Sequence, residues 1–316
     1  MTARSTRPTF GFQLPNFTYG TPDAQLFEGV LARVRAAESS GFESVWVMDH
    51  FYQLPALGGA TQPMLEGYTL LGALAASTSR VQLGTLVTGV TYRNPALLAK
   101  EVTTLDVISG GRAILGIGAA WHDEEHIGLG VDFPPAKERL DRLEEALQIC
   151  RSMFTQETSS FDGRYYRTND ARNVPAPLRG DIPIMVGGSG EKRTLKLVAK
   201  YADMCNIHGG PAEVRRLNGV IDAHCETVGR DPAQIRRTRL ASLFVCDNDA
   251  QADEMRAFTR SIAGDEAEDR FDVGVESEVA DKIGALHDGG LDTLIYNMPL
   301  GDADAVERAG KFLQSL

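Results

Sequence analysis

Eight short apolar runs recur along the chain, at residues 9–14 (TFGFQL), 44–49 (SVWVMD), 81–87 (VQLGTLV), 112–118 (RAILGIG), 182–188 (IPIMVGG), 203–209 (DMCNIHG), 239–246 (RLASLFVC) and 292–298 (DTLIYNM). Each is continuous rather than alternating, as in parallel strands covered on both faces, because alternation survives only where one face meets water. Helical patterns lie between them. In the first, Thr21 is placed to cap and Pro22 to open a helix with Leu26, Phe27, Val30, Leu31 and Val34 on one stripe. Another begins at Asn94-Pro95, and a third puts Leu140, Leu143, Leu147, Cys150 and Phe154 on one face. Strand and helix alternate eight times with no compositional break, which predicts one (β/α)8 TIM barrel domain over residues 1–316. A doubly wound open sheet would give the same pattern, since closure leaves no mark on periodicity.

Long connections interrupt the alternation at residues 50–66, 119–134, 156–181 (with a SFDGRYYR hairpin) and 262–275. The first two follow strands and would stand over the barrel mouth, where the active sites of this fold sit. They carry Phe51, Tyr52, Leu54, Leu57, Trp121 and Phe133, the walls of a pocket suited to a hydrophobic small molecule.

Charge narrows the partners. The formal net charge of −11 disfavours nucleic acid and anionic membranes, which need a positive face. Cys150, Cys205, Cys225 and Cys246 form no C-x-x-C pair, so neither a disulfide framework nor a cysteine zinc site is expected. The first residues, MTARSTRPTF, carry no apolar core of a signal peptide, and no run approaches the ~20 apolar residues of a membrane helix. A cytoplasmic protein is the expectation.

Chemistry-bearing residues gather at strand ends. Asp49-His50 ends the second run, aimed into the mouth if the barrel closes; a buried, carboxylate-held histidine is the competing reading. GGSG (Gly187, Gly188, Ser189, Gly190) follows the fifth run and leads into EKRTLKLVAKYAD, read as a helix, so it is either a phosphate cradle or a tight turn. Asn206 and His208 end the sixth run and Asn297 the eighth, lining one rim. WHDEEH (121–126) contains the H-x-x-E-H spacing of an inverted zinc peptidase, but it follows a strand and precedes Gly128, Gly130 and Pro134-Pro135. We read it as a solvated mouth loop with room for one helical turn and without metal, in which Trp121 either stacks on a planar ligand or packs in the core.

The segments WVMDHF, LGTLVTGVTYRNPALLAKEVTTLDVISGGRAILGIGAAW and IMVGGSGEKRTLKLVAKYAD resemble the luciferase-like monooxygenase superfamily, specifically its deazaflavin (coenzyme F420) branch. The resemblance implies a hydride-transferring oxidoreductase, with the cofactor ring across the barrel mouth, buttressed at Leu86, Val87 and Thr88 by a non-prolyl cis peptide at Leu86-Val87 or within a residue of it. It implies that Asp49 and His50 flank the reactive face as the catalytic pair. It also implies that Gly118, Ala119 and Ala120 lie under the ring, that Gly187 to Gly190 hold the phosphate, and that Asn206 and His208 belong to the cofactor site. Phe51, Tyr52, Trp121 and Asn297 are then left for substrate. Where a sugar-phosphate-oxidising branch carries an acidic glutamate, this chain has Trp121, which argues against that substrate. An FMN-dependent monooxygenase and a non-catalytic flavin-binding protein are the alternatives, and a homodimer is expected by the same likeness.

Overall fold

A computed structural model of the chain describes residues 7–316. The signal-peptide reading rests partly on residues 1–6, which lie outside the described residues. In chain order the first elements are β1 (Thr9–Leu14), α1 (Leu26–Ser39), β2 (Ser44–Val47), α2 (Gly67–Ser77), β3 (Gln82–Thr85), β4 (Thr88–Gly89), α3 (Pro95–Ser109), β5 (Ala113–Gly118), α4 (Asp123–Leu129) and α5 (Ala136–Thr155). Then come β6 (Ser159–Asp162), β7 (Arg167–Ala171), β8 (Ile184–Gly187), α6 (Thr194–Tyr201), β9 (Met204–Ile207), α7 (Pro211–Val228), β10 (Arg236–Val245), α8 (Asp249–Ala263), α9 (Ala267–Arg270), β11 (Phe271–Gly274), α10 (Glu276–Asp288), β12 (Thr293–Asn297) and α11 (Ala303–Gln314).

All eight apolar runs form strands, and they pair in parallel around a ring: β1-β2-β3-β5-β8-β9-β10-β12 and back to β1. Closure is made where Met204 of β9 pairs with both Met185 of β8 and Arg236 of β10. The (β/α)8 barrel is therefore closed, and the open-sheet alternative is excluded. Successive side chains go to opposite faces. Val45, Val47, Leu115, Ile117, Ile184 and Val186 pack outward in the large core shared with the helices. Trp46, Ile114, Met185, Met204 and Ile295 fill the interior. Trp46 fits there because its neighbours are small: a Cβ on Gly84 would lie 2.9 Å from the indole, and one on Gly11 would lie 3.0 Å from it.

Three expectations need correction. Thr21 caps no α-helix: a single 3-10 turn, Asp23–Gln25, follows Pro22, and α1 proper starts at Leu26. EKRTLKLVAKYAD is helical only from Thr194, because the chain first folds back tightly and the Leu195 N–H donates to the Gly190 carbonyl at 3.0 Å. The connection 262–275 contains a further parallel strand, β11, which with the short β4 brings the sheet to ten strands. It pairs with the far half of β10 (Ser242–Val245), while the near half (Arg236–Arg239) pairs with β9. The SFDGRYYR hairpin is present as antiparallel β6 and β7, and Asn94 caps α3 by accepting the Ala96 N–H at 2.9 Å. Among the described residues no helix is long and apolar enough to cross a membrane.

Candidate active site

The end of β2 delivers Asp49 and His50 to the mouth, and the two side chains take different partners. Asp49 is buried, and its Oδ2 accepts the Gly89 N–H at 3.1 Å and an Arg93 Nη at 2.7 Å. Arg93 also pairs with Glu66 at 2.7 Å and Glu101 at 3.2 Å. Burial works against the guanidinium charge, but Asp49 outweighs it and holds Arg93 above the ordinary arginine value. Asp49 is thus tied to the start of α3 rather than to its neighbour His50.

His50 is held instead by Glu125, whose Oε1 lies 2.7 Å from Nδ1. The second carboxylate oxygen accepts the Phe51 N–H at 2.7 Å and the Tyr52 N–H at 3.2 Å, and the Tyr92 hydroxyl donates to Oε1. Burial pushes the Glu125 carboxyl up, but the bonds from His50, Tyr92 and Phe51 prevail and hold it at about 2. Four donors converging on one buried carboxylate leave it an acceptor throughout.

Glu125 belongs to the WHDEEH stretch, and here the solvated-loop reading fails. Residues 123–129 form α4, two turns long, with His122, Glu125 and His126 buried. His126 Nδ1 lies 2.6 Å from the His122 carbonyl and Nε2 lies 2.7 Å from Thr91 Oγ1, so Nδ1 is the donor and Nε2 the acceptor. Its ring stacks on Tyr92 at 4.4 Å. Among the described residues no three His, Cys, Asp or Glu side chains gather as a metal site. Trp121 is 62% exposed, which removes the core-packing option, and it stands edge-on to His50 at 5.6 Å. His122 Nε2 and Gln53 Nε2, buried on the two mouth loops, have no hydrogen-bond partner.

Beside this polar wall the floor is built from glycine and alanine backbone packed around the Val87 side chain. The Leu86-Val87 peptide is cis, and Val87 lies across two glycines: a Cβ on Gly118 would fall 2.8 Å from it and one on Gly187 3.0 Å. Ala119 and Ala120 continue the floor, Ala120 at φ 59°, a backbone region that non-glycine residues enter at some cost. Thr88 is buried below, bonded to Thr85 and to the Tyr68 hydroxyl, each at 2.7 Å. Gly188 takes φ 119° and donates to the Asn206 carbonyl at 3.0 Å, while Ser189 Oγ accepts the His208 N–H at 3.0 Å. The GGSG loop and the end of β9 therefore form one rim. Asn206 is buried, its amide on Thr238 at 2.9 Å. His208 reaches solvent, and partial desolvation with the charges of Arg239 and Arg270 holds it below the ordinary histidine value. Asn297 bridges Gln13 at 2.9 Å and Ser242 at 2.6 Å.

The strand-end residues expected at the mouth lie there, and Glu125, Tyr92 and Arg93, which the sequence did not single out, are bonded to them. One signal for Glu125 was available: His122, Glu125 and His126 are spaced i, i+3, i+4, one face of a helix.

The sequence profile of luciferase-like monooxygenases matches residues 9–306. The chain is 35% identical over 234 residues to an F420-dependent glucose-6-phosphate dehydrogenase of Kineococcus radiotolerans, covering 70% of this chain and 65% of that one. It spans between about half and two thirds of the length of the curated relatives it matches. The fold resembles that of a coenzyme F420 dependent tetrahydromethanopterin reductase from Methanopyrus kandleri, with TM-score 0.81 and 21% identity over 98% of this chain and 99% of that one. It also resembles the oxygenating constituent of a Pseudomonas putida 3,6-diketocamphane monooxygenase in complex with FMN, with TM-score 0.75 and 19% identity over 97% of both chains.

Proposed function

The chain belongs to the luciferase-like monooxygenase family, and from that premise we propose that it is an oxidoreductase transferring a hydride between coenzyme F420 and a small, hydrophobic organic substrate. The observation that carries this reading is the side-chain-poor floor of Gly118, Ala119, Ala120, Gly187 and Gly188 around Val87, set against the His50 wall. A flat tricyclic ring fits such a floor, and a bulkier residue at Gly118 or Gly187 would collide with Val87. The likeness to F420-dependent relatives favours the deazaflavin over FMN.

When bound, the deazaflavin supplies the hydride-carrying carbon; the chain supplies position and a proton. Gly187 to Gly190, with Asn206 and His208, form the rim assigned to the cofactor's phosphate side, where the positive φ of Gly188 brings backbone close to an anion. Val87, Thr88, Leu86 and Gly118 to Ala120 support the ring plane. His50 exchanges the proton that accompanies hydride transfer, at the ring nitrogen not engaged by Glu125. Asp49, tied to Arg93, fixes the end of β2 and leaves a carboxylate beside the ring. Phe51, Tyr52, Trp121 and Asn297 face the substrate, the aromatic rings suiting an apolar molecule.

Titrating the protein with F420 and with FMN, followed by fluorescence quenching, tests the reading. F420 is expected to bind at least tenfold more tightly. Tighter FMN binding would transfer the chain to the oxygen-using monooxygenases of its family, and tight F420 binding without turnover on any acceptor would leave a carrier protein.

A further inference from the structure

The reactive nitrogen of His50 is decided by a residue outside the strand that carries it. Glu125 is fully buried, and each of its oxygens is already committed: Oε2 to two backbone N–H groups, Oε1 to the Tyr92 hydroxyl and to His50 Nδ1. A carboxylate so placed has no proton to give, so the proton on the 2.7 Å contact must sit on Nδ1 of the imidazole. Tyr92 is itself pinned, its ring stacked on His126 at 4.4 Å and met edge-on by Phe51 at 5.1 Å. The carboxylate is therefore clamped from the peptide N–H groups on one side and from a packed phenol on the other.

We propose that Glu125, backed by Tyr92, is the positioning residue that keeps a proton on Nδ1 of His50 and so makes Nε2 the atom that exchanges protons in the mouth. The proposal rests on the oxidoreductase reading for its catalytic consequence, but the protonation state it assigns needs no cofactor. It gives the HDEEH stretch a role unrelated to metal. The two-turn α4 lies over the end of β2, with His126 ordering Tyr92 from the same face that presents Glu125. The other groups near His50 do not compete for Nδ1. Trp121 and His122 meet its ring edge-on at 5.6 and 5.7 Å, and Asp49 is taken by Arg93.

Glu125→Gln is the informative change because it is nearly isosteric. The two peptide N–H groups demand the amide oxygen, which turns the amide NH2 toward His50; Nδ1 must then accept, and the proton moves to Nε2. Nitrogen-15 NMR of histidine-labelled, cofactor-free protein, with the His50 signals assigned through His50→Asn, reads this directly. Wild type is expected to carry a proton on Nδ1 and Glu125→Gln to lose it. With F420 and a working substrate, Glu125→Gln should slow single-turnover hydride transfer by about 10²-fold, as for loss of an outer-shell histidine partner, with cofactor affinity within about threefold. An unprotonated Nδ1 in wild type overturns the proposal, and that arm needs no variant. So does a Glu125→Gln protein, folded by circular dichroism, whose His50 signals are unchanged. Failure to find F420 turnover alongside the expected NMR shift would count against the oxidoreductase reading and leave the assignment of Nδ1 standing.

Discussion

Glu125 is also where single-residue electrostatics can be read as stability. Burial alone would raise its pKa, but hydrogen bonds from His50, Tyr92 and the Phe51 N–H lower it from 4.5 to about 2. A carboxylate held lower in the folded than in the unfolded chain contributes stability above its unfolded pKa and loses it as pH falls through the folded one. Between pH 6 and pH 3 wild type should therefore shed about 2 kcal/mol through this group. Glu125→Gln, with nothing to titrate there, should lose that much less over the same range. Urea unfolding of both proteins at the two pH values makes the comparison, and parallel losses would mean that Glu125 titrates normally. Asp49 and His50 could be named from sequence because a strand end fixes where its side chains go. Their partners could not, since Glu125 comes 75 residues after His50 and Arg93 comes 44 after Asp49.

Beyond the late starts of α1 and α6, sequence reading missed most of α4 and all of β11, both short elements at the mouth. A helix of seven residues is not stable by itself, and a four-residue strand carries too few side chains to show a period. Both exist because buried polar groups anchor them. For β11 the anchor is Asp272, fully buried, which pairs with Arg239 of β10 at 2.8 Å and with Lys282 of α10 at 2.8 Å, and accepts the Tyr296 hydroxyl of β12 at 2.8 Å. Burial opposes its charge, but Arg239 and Lys282 hold its pKa below the ordinary aspartate value. Asp272→Ala strands a buried guanidinium and should cost about 3–5 kcal/mol. Arg239→Met combined with Asp272→Leu should recover at least half of that loss. Chemical denaturation of wild type and the two variants tests it, and a single-variant cost under about 1 kcal/mol would show that β11 is held by its backbone ladder alone.

At the scale of the whole molecule the packing of helices on the closed ring buries all four cysteines. All four are free and buried, and burial pushes the Cys150 and Cys205 thiols up to about 12. A thiol reagent that needs thiolate should find no fast-reacting group in the folded protein and four in denaturant. In intermediate denaturant the thiols should become reactive together, tracking the far-ultraviolet circular dichroism. A thiol reacting well before that transition would identify a part of the barrel that opens independently.

The sequence by itself determined the inventory of this fold. Eight doubly covered strands, the helices between them and the strand-end residues Asp49, His50, Asn206 and Asn297 follow from local patterns that each segment carries alone. The GGSG loop was legible only as a phosphate cradle or a tight turn, and the Gly118–Ala120 segment only through the family resemblance, since a strand-end glycine serves a turn as readily as a ligand. Closure was decided only in three dimensions, where β9 meets β10, since an edge strand and a barrel strand look alike in periodicity. The same holds for the HDEEH stretch: a run of charged residues is a solvated loop unless donors arrive from elsewhere. Here they come from His50, Phe51 and Tyr52 after β2 and from Tyr92 before α3, and those long-range contacts turn a polar segment into the buried support of a histidine.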